Sequence, residues 1–158
     1  MSNRRINKKL PSRKTYVLLS LTWGLPLTAF GALLMLILII CGKRPKRFCY
    51  CYYIEVGKCW GGLELGLFFL KDSRESLTLM KHEQGHGLQN IYWGVLMPFV
   101  ITIPSAIRYW YRRALTARGR TDLVPYSAIW FEADADRRGA ELYEYLTETR
   151  NRVNSTSL

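Results

Sequence analysis

The chain has 158 residues, enough for one domain with appendages, and carries 23 lysines and arginines against 12 acids, a formal net charge of +11. Arg4, Arg5, Lys8, Lys9, Arg13 and Lys14 crowd residues 1–14 with no acid among them. A basic tail beside an apolar run is a membrane-surface anchor more often than a nucleic-acid arm. Cations and aromatics interleave again only at Tyr109-Trp110-Tyr111-Arg112-Arg113. That cluster reads as an interfacial aromatic belt with cationic anchors, so no nucleic-acid partner is expected.

Thr15 to Gly42 follows without a single charge. About 20 apolar residues cross a bilayer as a helix, and the run exceeds the core of a cleaved signal peptide. Residues 15–42 are therefore expected to form a transmembrane helix. Gly24 and Pro26 either kink it or delay its start to about Leu27. Lys43, Arg44, Lys46 and Arg47 stand just beyond it. The positive-inside count then favours a cytoplasmic N-terminus by a small margin. The side of the remaining domain stays open, with the cytoplasmic face slightly favoured.

Residues 49–70 are rich in β-branched and aromatic residues punctuated by Gly57, Gly61 and Gly62, the pattern of strands. An antiparallel hairpin is expected, pairing Tyr52–Val56 with Leu63–Leu70. Its edge could hold an extended peptide through backbone groups, or the small sheet could merely cover a helix. Cys49, Cys51 and Cys59 lie close together, but no fourth cysteine or histidine is near and the spacing is not that of a zinc ribbon. They read as reduced or incidental thiols and leave the redox compartment open.

Asp72 is the expected N-cap of the next helix, with Glu75 completing a capping box. That helix carries Lys81-His82-Glu83-Gln84-Gly85-His86, an H-E-x-x-H motif, and these are the only two histidines in the chain. Residues four apart share a helix face, so both imidazoles can reach one metal ion. Glu83 sits one step round, placed to hold and deprotonate a metal-bound water. For this composition the pattern arises by accident on the order of once in a thousand.

The uncharged run Ile91–Ile107 is broken by Pro98 and Pro104. A complete crossing would put anything downstream on the opposite side of the membrane from the histidines. Residues 91–111 are therefore expected to form a re-entrant or interfacial segment. Arg112–Val124 reads as a polar connector, Ser127 as the N-cap of a final helix, and 151–158 as a disordered tail. That helix offers Glu132, Asp134, Asp136 and Glu141 as a third ligand, since a catalytic zinc commonly takes three protein ligands and leaves one position for water. Glu132 and Asp136 share a face, whereas Asp134 points away and is expected to be solvated. The alternative is a surface helix whose acids pair with Arg137 and Arg138.

H-E-x-x-H followed by E-x-x-x-D in the Ala-rich stretch Glu132–Arg137 resembles the gluzincin metallopeptidases. It is most similar to their integral-membrane branch, the prenyl-protein endopeptidase and heat-shock membrane protease type. The resemblance covers about residues 75–145. It implies that His82, His86 and Glu132 bind Zn2+, that Glu83 is the general base, and that Asp136 orients a ligand imidazole. The family places two full spans between the motifs and is longer, so this chain corresponds to a minimal form. The expectation is an α+β membrane protein in which residues 43–150 form a zincin-like catalytic domain acting on a peptide or protein at the lipid bilayer. Tyr126 and Tyr143 are candidates to stabilise the oxyanion. The rival readings are a non-catalytic, zinc-stabilised membrane regulatory protein and a membrane interaction protein without metal.

Overall fold

The computed structural model describes residues 10–74 and 76–156, and for Tyr126 and Thr156 the backbone alone. The architecture is α+β. Helices α1 (Arg13–Leu21) and α2 (Leu25–Ile40) precede strands β1 (Lys46–Phe48), β2 (Cys51–Glu55), β3 (Gly62–Leu65) and β4 (Phe68–Lys71). Helix α3 (Leu77–Trp93) follows, then a short 3-10 turn and a π-helical turn, α4 (Ile103–Ala117) and α5 (Trp130–Thr156).

The single expected helix over 15–42 is instead two, bent by 92° across residues 22–24, and no single described helix is long and apolar enough to cross a membrane. Gly24 is the N-cap of α2 and Pro26 occupies its first turn, where a missing N–H costs nothing. Tyr16 on α1 is fully buried, and its hydroxyl donates to the Gly66 carbonyl at 2.9 Å. That anchor binds α1 to the domain and turns it away from α2.

The sheet is mixed rather than a hairpin, in the order β1-β2-β4-β3. β2 pairs with β4 in parallel, and β3 pairs with β4 antiparallel. The short Gly66-Leu67 turn folds β4 back on β3, which places β4 between β2 and β3. β3 is thereby left at an edge.

Ser76, not Asp72, caps α3 by accepting from the Leu79 N–H. Asp72 is buried and accepts from the Gly61 and Arg74 N–H groups instead, and the expected capping-box residue Glu75 lies outside the described residues. The apolar run after α3 turns through 115° at the break before Pro98. Pro104 causes no second break, since it sits in the first turn of α4. Helix α4 extends through Arg112–Ala117, shortening the expected connector, and Ser127 lies in a 3-10 turn ahead of α5 rather than capping it. The tail expected to be disordered is helical to Thr156, leaving residues 157 and 158 outside the described part.

Helices α3 and α5 meet at backbone distance. A Cβ added at Gly85 would collide with the Ala135 carbonyl, and one added at Gly139 with the Lys81 carbonyl. Gly139→Ala should therefore destabilise the fold by about 1–3 kcal/mol through overpacking, despite a helix-propensity gain of about 1 kcal/mol. Thermal unfolding followed by far-UV circular dichroism checks the sign.

Candidate metal centre

His82 and His86 lie one turn apart on α3, and the crossing with α5 presents Glu132 to both. The ligand-type atoms of His82, His86 and Glu132 all lie within 4.8 Å of one another, a group that can hold a metal ion. His82 Nε2 is 3.1 Å and His86 Nε2 3.3 Å from Glu132 Oε2. The two Nε2 atoms are 3.0 Å apart.

The outer ring nitrogens fix what the inner ones are. His82 Nδ1 is 2.8 Å from Asp136 Oδ1, and His86 Nδ1 is 2.8 Å from Gln89 Oε1. Gln89 Nε2 donates to the Phe131 carbonyl and to Asp134 Oδ2, so its oxygen is the atom turned to His86. Each Nδ1 therefore carries a hydrogen, which leaves Nε2 as the nitrogen that can turn a lone pair inward once any proton on it is displaced. Glu132 Oε2 is buried and makes no hydrogen bond among the described residues. Two lone pairs and a carboxylate oxygen facing one another at about 3 Å repel unless a proton or a metal ion lies between them. The residues fit a divalent metal, with Asp136 and Gln89 as the outer groups that hold such imidazoles in place.

Glu132 is fixed from its other side by Ser105 on α4, whose hydroxyl donates to Oε1 at 2.6 Å. Burial alone would raise the Glu132 pKa, but His82 and His86, with Nε2 atoms 3.1 and 3.3 Å from Oε2, hold it well below the carboxylate range. Burial would lower that of His82, yet Glu132, Glu83 and Asp136 together raise it to about 9. Glu83 is 4% exposed, and burial pushes its carboxyl up, opposed by His82 and His86 and reinforced by Glu132. A Cβ at Gly62 would overlap the Glu83 carboxylate, so the β3 backbone passes directly over the base candidate.

Sequence reasoning did not single out Gln89 or Ser105. Gln89 stands three residues after His86, a spacing that places it on the same helix face; nothing local marks Ser105. Asp134, expected in solvent, is partly buried and pairs with Arg137 and Arg138 while receiving Gln89. Both readings of α5 thus hold for different residues: Glu132 and Asp136 face α3, while Asp134 and Glu141 form ion pairs with Arg137. Tyr143 does not face the centre; its ring stacks on Phe48 and lies under the Lys81 ammonium. The Tyr126 side chain lies outside the described part. Cys41, Cys49, Cys51 and Cys59 are free thiols.

A cavity of about 690 Å³ opens onto His82, His86 and Glu83, walled by Leu63 and Glu64 of β3, by Met97 and Ile101, and by Ser105 and Tyr109 of α4. No known protein family, curated protein or solved structure matches this chain.

With its pKa near 9, His82 holds a proton at neutral pH that a metal ion must expel. Metal affinity should therefore rise about tenfold per pH unit from pH 6 to 8 and level off above about 9. Chelator competition with Zn2+ at several pH values checks this; an affinity independent of pH is the contrary result.

Proposed function

We propose that the chain is a minimal membrane-anchored zinc endopeptidase, with His82, His86 and Glu132 holding the ion and Glu83 as general base. The observation that carries this reading is a buried carboxylate beside two imidazole Nε2 atoms, at the head of a cavity bordered by an edge strand. The donor set of two histidines and one glutamate is one that suits zinc with a position left open. An ion of that kind polarises a carbonyl oxygen and brings the pKa of water down to about 7.

The protein's own groups do the rest. Glu83 takes a proton from the attacking water and returns it to the departing amine, and a carboxyl raised by burial is suited to both transfers near neutral pH. Asp136 and Gln89 hold the imidazoles in one tautomer. β3 pairs only with β4 among the described strands, so its outer edge can accept a substrate segment as an added strand. The apolar cavity wall excludes bulk water from the reacting groups.

A lipid location rests on separate observations. Phe30, Leu33, Leu36, Ile37 and Ile40 of α2 are exposed although no charge interrupts the segment. Phe99, Ile103, Ile107 and Trp110 are exposed on the bent segment and α4. Lys43, Arg44, Arg112 and Arg113 border these apolar faces, the arrangement of an interfacial anchor. α2 and the 95–107 bend then sit in lipid, with the metal centre enclosed by protein at the boundary.

Glu83→Gln should lower cleavage of an unfolded protein substrate by on the order of 10²–10⁴-fold, with the bound zinc unchanged. Protease assay and metal analysis on the same preparation check both halves. Undiminished cleavage by the variant overturns the assignment. Stoichiometric zinc without turnover in the wild type marks the non-catalytic alternative.

A further inference from the structure

The cavity has a charge balance opposite to that of the chain. Among the described residues no lysine or arginine lines it, although the protein holds 23 of them, whereas Glu64, Glu83 and Asp136 all do. Arg113 comes nearby without lining it: its side chain lies 5.8 Å from the Trp110 ring and donates to the Tyr109 hydroxyl from the exposed side.

Glu64 has no part in the chemistry proposed above. It stands on β3 and is 4% exposed. Its Oε1 accepts from the Gly66 N–H, while Oε2 is buried without a hydrogen-bond partner among the described residues. A buried carboxylate oxygen left unsatisfied costs about 1–3 kcal/mol or more. Among the described residues no cation pairs with it, and Glu83 acts on it as a like charge. Burial, with Glu83 adding and the Gly66 N–H opposing, holds its carboxyl well above the usual range. The cavity wall also carries the aromatic rings of Trp60 and Tyr109, which favour a cation over their faces.

We propose that the Glu64 end of the cavity is a subsite for an organic cation of the substrate, an alkylammonium or guanidinium group. An entering cation satisfies Oε2 and favours the charged form of Glu64 that burial and the neighbouring Glu83 otherwise disfavour. Resting on the peptidase reading, this assigns the substrate class: a peptide with a basic group close to the scissile bond. That group is either a lysine or arginine side chain or a free amino terminus.

The test has a binding arm that needs no turnover. Full-length wild type and Glu64→Gln are titrated with benzamidinium and with benzamide, its neutral counterpart of similar shape, by isothermal titration calorimetry. Wild type should prefer the cation by at least about tenfold, and Glu64→Gln, similar in volume, should lose that preference. No preference in the wild type overturns the proposal, as does an equal preference in a folded Glu64→Gln. Should the variant fail to fold, the wild-type preference decides alone. A cleavage arm compares peptides with and without an internal lysine, each with a free or an acetylated amino terminus. Loss on acetylation identifies the terminus as the cation, and loss on lysine replacement identifies the side chain. Cation binding that depends on Glu64 without cleavage of any peptide keeps the subsite and removes the peptidase reading.

Discussion

The close crossing of α3 and α5 is the constraint on which the rest of the molecule depends. Gly85 abuts the Ala135 backbone and Gly139 abuts Lys81, so the helices approach more closely than side chains would allow. Only at that separation can the short Glu132 side chain reach two imidazoles on the neighbouring helix. Glycines inside helices are unfavourable on propensity alone, by about 1 kcal/mol each. Here they locate the centre.

Around that crossing the polar groups form a connected set rather than a scatter of pairs. Asp136 holds His82, Gln89 holds His86, and Ser105 holds Glu132. Gln89 in turn is fixed by the Phe131 carbonyl and Asp134, and Asp134 by Arg137 and Arg138. Each bond to an outer atom turns a lone pair toward the common point. Such a network is costly when partly satisfied, and the part left unsatisfied is the patch of acceptors where a cation fits. Glu64 repeats the theme on the β3 wall of the cavity, with one carboxylate oxygen bonded and the other without a partner among the described residues.

Much of the centre was legible because helical geometry is local. Two histidines four apart on a helix share a face whatever the tertiary fold, and Glu132 with Asp136 follow the same rule on α5. Gln89 could have been found by that rule, whereas Ser105 approaches from α4 after a 115° turn that no spacing encodes. The sheet was less legible. Strand positions follow from composition, but the insertion of β4 between β2 and β3 is a non-local choice. Ser76 and Asp72 were both competent caps for α3, and the tertiary bond from Gly61 claimed Asp72. The break at residues 22–24 falls where Gly24 and Pro26 were expected to kink the first apolar run or delay its helix, but its 92° size was not legible from hydropathy and goes with the burial of Tyr16 on α1.

The most direct test of the metal centre is the metal content of purified full-length protein, wild type against His86→Ala and Glu132→Ala, by elemental analysis after dialysis. Three converging ligands predict close to one divalent ion per wild-type chain and a large loss in both variants, with secondary structure retained. Equal metal in all three proteins, or none in the wild type, would contradict the account.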